Sequence, residues 1–107
     1  MKILALEQDV PGVTNEQFTP AILQAEAARA WELHLAGVIR ELYLRADQHS
    51  AVLVLECPDV AAAQAVLNTL PLVEQHLITF EVIPLRVYPG FARLFATLES
   101  SSSENNG

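Results

Sequence analysis

The chain has 107 residues, 51% of them hydrophobic and 18% charged, which is the size and make-up of one domain with its own core. Six Lys+Arg against thirteen Asp+Glu leave a formal net charge of −7, a field that repels phosphate backbones and argues against nucleic-acid binding. No apolar run approaches a membrane span, and the apolar stretch before Glu7 is too short for a signal-peptide core, so a cytoplasmic protein without a membrane partner is expected. A single cysteine, Cys57, permits no internal disulfide and fits a reducing compartment. With no basic residue beside it to activate the thiol, it reads as a buried structural group.

Lys2 to Glu7 is an aliphatic run stopped by Asp9, Pro11 and Gly12, which predicts a first strand. Thr19-Pro20 then reads as a helix cap followed by proline at the first helical position, and Gly37 as the residue just past the end. Between them Ile22 to Ala36 is rich in alanine and leucine, and a helix is predicted. Val38 to Ala46 and Ala51 to Glu56 are strand-like runs about Asp47-Gln48-His49-Ser50, a hairpin. Asp59 caps a second predicted helix, Val60 to Leu70, which Pro71 closes. Leu77 to Val87 is the last strand, and Pro84 within it places that strand at a sheet edge or at a bulge. From Glu99 the chain is serine, glutamate, asparagine and glycine, so residues 1–98 are expected to form the domain and 99–107 a disordered tail.

Strand, helix, strand, strand, helix, strand is the split βαβ pattern of a ferredoxin-like α+β domain with a four-stranded antiparallel sheet. Both helices then lie on one face. Ile3, Leu4, Leu6, Val52, Leu53, Val54 and Leu55 leave little polar alternation, so the strands are too apolar for the other face to meet water. A second copy of the sheet is the economical cover, so a homodimer is expected.

On a helical wheel the first helix carries one anomaly. Glu26 falls among Ile22, Leu23, Ala30 and Leu33, on the half that faces the core. A carboxylate there must be paired, hydrogen-bonded or open to a cavity. Desolvation would raise its pKa, as a general base requires; a structural ion pair with Arg29 or a sheet arginine is the other reading. His34 shares that half of the helix and reads as a hydrogen-bonded core or interface residue. His49 lies in the hairpin turn and gains interest if the turn closes over a cavity. The three histidines show no metal-ligand spacing, and neither a metal nor a cofactor is expected. On the second strand, alternation groups Ile39, Glu41, Tyr43 and Arg45 on one face and Val38, Arg40, Leu42 and Leu44 on the other. Arg40 could meet a substrate carboxylate with its guanidinium fork, or pair at the sheet rim.

Leu67-Asn68-Thr69-Leu70-Pro71-Leu72 and Phe80-Glu81-Val82-Ile83-Pro84-Leu85 resemble the LxxLPLF…(I/F)EVxPL stretch of muconolactone delta-isomerases. Arg40-Glu41-Leu42-Tyr43-Leu44-Arg45 after Ala36-Gly37 is similar to that family's arginine- and aromatic-rich segment. The resemblance runs from about Pro20 to Pro89 and extends more distantly to YciI-like proteins. It implies a dimeric α/β barrel, with larger rings among the isomerases, and a proton moved within an unsaturated five-membered lactone by a carboxylate. Counted back from the helix-ending glycine, that carboxylate falls on Glu26. Lysines near the family's glutamate are Leu23 and Ala27 here, and an aromatic hydroxyl of its hairpin is His49. The YciI histidine–aspartate pair is absent, its positions holding Glu26 and Leu70. The extension Tyr88 to Phe95 departs from the family's ending and is expected to pack across a subunit boundary.

The expectation is therefore an isomerase-like enzyme acting on a small lactone or unsaturated acid. Glu26 would be the base, and Arg40, Tyr43 and His49 would hold or polarise the substrate. The alternatives are a barrel that binds a small molecule without chemistry and a packed structural dimer.

Overall fold

The computed structural model describes residues 1–95. Four strands, β1 (Lys2–Asp9), β2 (Ile39–Leu44), β3 (Ala51–Glu56) and β4 (Ile78–Pro84), form one antiparallel sheet in the order β2-β3-β1-β4. Three helices accompany them: α1 (Pro20–Leu35), α2 (Val60–Leu67) and the single turn α3 (Pro71–Glu74). Short 3₁₀ turns stand at Asn15–Gln17 and Gly90–Leu94. This is the expected ferredoxin-like α+β arrangement, with β4 and its Pro84 on an edge. The expected domain end at residue 98 and tail 99–107 lie outside the described residues.

Helix α1 begins and ends where its sequence dictates. Thr19 Oγ1 accepts the Ile22 N–H at 3.3 Å, and Pro20 occupies the first turn. At the other end Gly37 takes φ +80, its N–H bonds to the His34 carbonyl, and the Val38 N–H bonds to that of Leu33. That pair of bonds is a Schellman closure, which needs a residue free to turn left-handed. Asp59 caps α2 by accepting the Ala62 N–H at 2.7 Å.

Three elements depart from expectation. Helix α2 stops at Leu67, because Leu70 precedes a proline and is held extended at φ −72, ψ 130. Pro71 therefore opens a helix instead of closing one, its fixed φ suiting the first position of α3. His76 then takes φ +58 just past α3, and β4 starts at Ile78. In β2 a bulge between Ile39 and Glu41 inserts Arg40 as an extra residue. The bulge breaks the alternation: Ile39 opposes Leu55 and Leu42 opposes Leu53, so Ile39, Leu42 and Leu44 share the helix side. Glu41 and Tyr43 take the other side, opposite Val54 and Val52.

The core lies between sheet and helices. Ile3, Ala5, Leu53, Leu55 and Ile39 of the sheet meet Leu33 of α1 and Ala63 and Leu67 of α2. A smaller cluster of Leu72, Leu77 and Ile78 packs with Val13, Phe18 and Ile22 at one end. On the opposite side of the sheet Leu4, Leu6, Val52, Val54 and Ile83 remain half-buried and uncovered. Leu67 has no exposed surface, and Leu67→Ala is expected to lower unfolding free energy by about 2–5 kcal/mol in urea melts followed by circular dichroism.

Candidate functional site

An open-mouthed groove of about 840 Å³ runs along the end of the sheet where β1 leaves it. Glu7 and Asp9 of β1 form one wall, and His49 and Ser50 of the hairpin another. Val13, Phe18 and Leu77 contribute apolar surface from the smaller cluster, and Leu23 comes from α1. Glu7 follows Ile3 and Ala5 in the alternation of β1, so the strand aims it to the helix side. Its Oε1 accepts the Ala51 N–H at 2.7 Å, tying β1 to the start of β3. This carboxylate was legible in the pattern, as the third member of a buried alternating series, but drew no attention beside Glu26.

Glu26 is half-buried on α1. It makes no ion pair with Arg29 or Arg40: its Oε1 accepts the Leu72 N–H at 2.9 Å, across 46 residues of sequence. Leu72 is the second residue of α3, a helix whose own cap position, Leu70, offers no side-chain oxygen. Glu26 thus supplies the cap from another helix. Burial pushes its carboxyl above the usual range; the Leu72 N–H opposes that, and the negative charge of Glu7 adds to it. Among the described residues no hydrogen bond engages Oε2. Glu26 does not itself line the groove. Leu23, one turn earlier on the same helix, does, and the Leu72 it bonds belongs to the cluster that supplies the groove's apolar surface.

The other nominated residues are dispersed within one protomer. His49 lines the groove. Arg40 sits beside Val54 and Leu55, about 10–13 Å along the sheet from Ala51, and its Nε donates to the Gly37 carbonyl at 2.7 Å. Tyr43 lies on the side of the sheet away from the helices, its hydroxyl donating to Glu41 at 2.7 Å, and that carboxylate holds the phenol above its usual pKa. His34 stands near the far end of α1, its Nδ1 3.2 Å from the Ile39 carbonyl and its ring against Trp31. Cys57 is buried, which pushes its thiol up, with Glu56 adding to the effect. No group of three or more His, Cys, Asp or Glu able to hold a metal ion occurs among the described residues.

Split connectivity, sheet order and helices on one side define a ferredoxin-like α+β protein. The muconolactone delta-isomerase sequence profile matches residues 3–90, and the chain belongs to that family. A solved muconolactone isomerase, determined at 3.3 Å, superposes with a TM-score of 0.64 at 23% identity, covering 83% of this chain and 92% of that one. At that identity the superposition speaks for the fold alone. Among curated protein sequences none matches this chain. No helix among the described residues is long and apolar enough to cross a membrane.

The raised carboxyl of Glu26 has a consequence for stability. The folded state binds that proton more tightly than the unfolded chain, so stability falls as pH rises from the ordinary glutamate range through the raised value. Glu26→Gln keeps an acceptor oxygen for Leu72 and removes the titration. Its stability relative to the parent is expected to improve as pH rises above the ordinary glutamate range. Glu26→Ala leaves the α3 N–H uncapped, and a loss of about 0.5–2 kcal/mol is expected in the same urea melts.

Proposed function

We propose that this chain is a cofactor-free isomerase of small unsaturated five-membered lactones or related acids, with Glu26 as the proton-carrying base. The observation that carries the reading is the state of that carboxylate: half-buried, raised by burial, fixed through Oε1 and with no hydrogen bond to Oε2 among the described residues. A base held this way can take a proton from a carbon conjugated with the lactone carbonyl. The negative charge then spreads onto the carbonyl oxygen, and the same carboxyl returns the proton at another carbon of the conjugated system. One carbon–hydrogen bond breaks and another forms, the carbon–carbon double bond shifts by one position, and the ring bonds stay intact. One positioned base contributes about 10²–10⁴-fold. His49, on the groove wall, is assigned to polarise the carbonyl. Arg40 and Tyr43 were nominated to hold a substrate carboxylate, but both stand outside the groove. Their assignment to substrate binding would require the sheet face or edge of an assembled oligomer.

That oligomer is part of the proposal. The uncovered apolar side of the sheet supports a homodimer built face to face. The C-terminal extension supports it too, since Val87 is 89% exposed and Phe95 85% exposed, more apolar surface than a lone protomer ordinarily presents. A free, buried cysteine fits the cytoplasmic placement.

A second reading has its own observation. Because Glu26 caps α3, its burial has a structural reason, and the groove could bind a lactone without chemistry. Incubating the protein with unsaturated γ-lactones in deuterated water, muconolactone among them, separates the two. Glu26→Gln preserves the cap, so isomerisation and deuterium uptake that fall at least about 10²-fold in that variant support the base. Full retained turnover, or binding with no exchange across the series, removes the assignment. For the assembly, Val54→Glu on the open side of β3 is expected to sediment as a monomer where the parent sediments as a dimer. A monomeric parent would overturn the face-to-face arrangement.

A further inference from the structure

The groove has a charge character that narrows its ligand. Among the described residues its ionisable walls are Glu7 and Asp9, and no lysine or arginine lines it. Of those lining residues His49 alone is able to carry positive charge, and it is exposed on the hairpin turn. Leu23 fills the wall one turn from Glu26, at one of the positions where the resemblance places a lysine.

Three guanidiniums elsewhere are engaged by other groups. Arg45, at the same end of the sheet, donates two hydrogen bonds to Asp47, at 2.8 and 2.6 Å. Arg29 is held by Thr69 and Glu32, and Arg40 by the Gly37 carbonyl. Lys2 opposes Glu56, and Arg86 follows Pro84, which opposes Ile3; both stand at the opposite end of the sheet. An anion entering the groove would meet two carboxylates on its walls, Glu26 behind them and a chain of net charge −7. No lysine or arginine among the described lining residues would offset them.

We propose that the groove selects an uncharged ligand: an unsaturated γ-lactone, neutral at its side arm, in preference to one bearing a free carboxylate. The inference rests on the isomerase reading for the choice of a lactone and on the groove's own lining for the absence of charge. A neutral ring finds apolar contacts in Phe18, Val13, Leu23 and Leu77 and polar ones in Ser50 and Gln48. Such a ligand avoids the repulsion that a carboxylate arm would meet from Glu7 and Asp9. This would separate the chain from relatives that carry lysines beside their glutamate, without changing the base.

Muconolactone and its methyl ester share the ring and differ in the charge of the side arm, so they are the probes. Calorimetric titration at low salt is expected to give the ester an affinity at least about tenfold higher, a gap that narrows as salt screens the groove. Leu23→Lys, at a half-exposed position, is expected to narrow or reverse the preference. Equal or tighter binding of the free carboxylate by the parent overturns the proposal, as does failure of the ester to bind. Proton exchange with both probes in deuterated water is read in parallel. Preference for the ester without exchange leaves the charge selection standing and removes the isomerase reading. Glu26-dependent exchange with preference for the carboxylate does the opposite.

Discussion

The structure depends on the double pairing of β1. Its residues from Ile3 to Leu6 bond to β3 on one side and β4 on the other, so the first segment of the chain is the middle of the sheet. Ile3 and Ala5 are fully buried beneath the helices. Everything else is placed relative to this strand: β2 through β3, the helices through the core that Ile3 and Ala5 begin, and the groove through Glu7 at its outgoing end. Because side chains alternate across a strand, the register that buries Ile3 and Ala5 also aims Glu7 into the helix side, where a carboxylate needs a donor. The Ala51 N–H supplies it.

Glu26 shows how one group can serve packing through a geometry that also suits the proposed proton transfer. A polar atom on the buried half of a helix is tolerated when a donor meets it, and α3 has an unsatisfied N–H to give. The bond fixes one oxygen and the rotamer, and burial disfavours the ionised form. The electrostatic setting is one-sided, since Glu7 adds negative charge and no cation contributes to the shift. Those conditions raise the carboxyl above the usual range, the direction that the proposed proton transfer calls for.

The molecule presents two different surfaces on the two sides of its sheet. On the helix side the groove is acidic and partly polar. On the other side Leu4, Leu6, Val52, Val54 and Ile83 form an apolar field, with Glu41, Tyr43 and Glu81 toward its margins. The first is shaped to hold something small; the second has the character of a surface between protein copies. Arg40 and Tyr43 belong to the rim and the open side, which explains why they stand apart from the groove although they share one short hairpin with His49.

The sequence by itself determined the order of the four strands and of α1 and α2, the caps at Thr19 and Asp59, the turn at Gly37 and the anomaly of Glu26, and it narrowed Pro84 to an edge or a bulge. These are local matters, decided by φ preferences, capping oxygens and hydrophobic period, which act over a few residues. Only the tertiary structure decided that Leu72, 46 residues away, receives Glu26, that Pro71 starts a helix, and that a bulge at Arg40 turns Ile39 toward the core. The groove lined by Glu7 and His49 was hidden for the same reason. Hydrogen-bond partners, strand register and the enclosure of space depend on which distant segments meet, and an amino-acid pattern carries that information only through the folded chain.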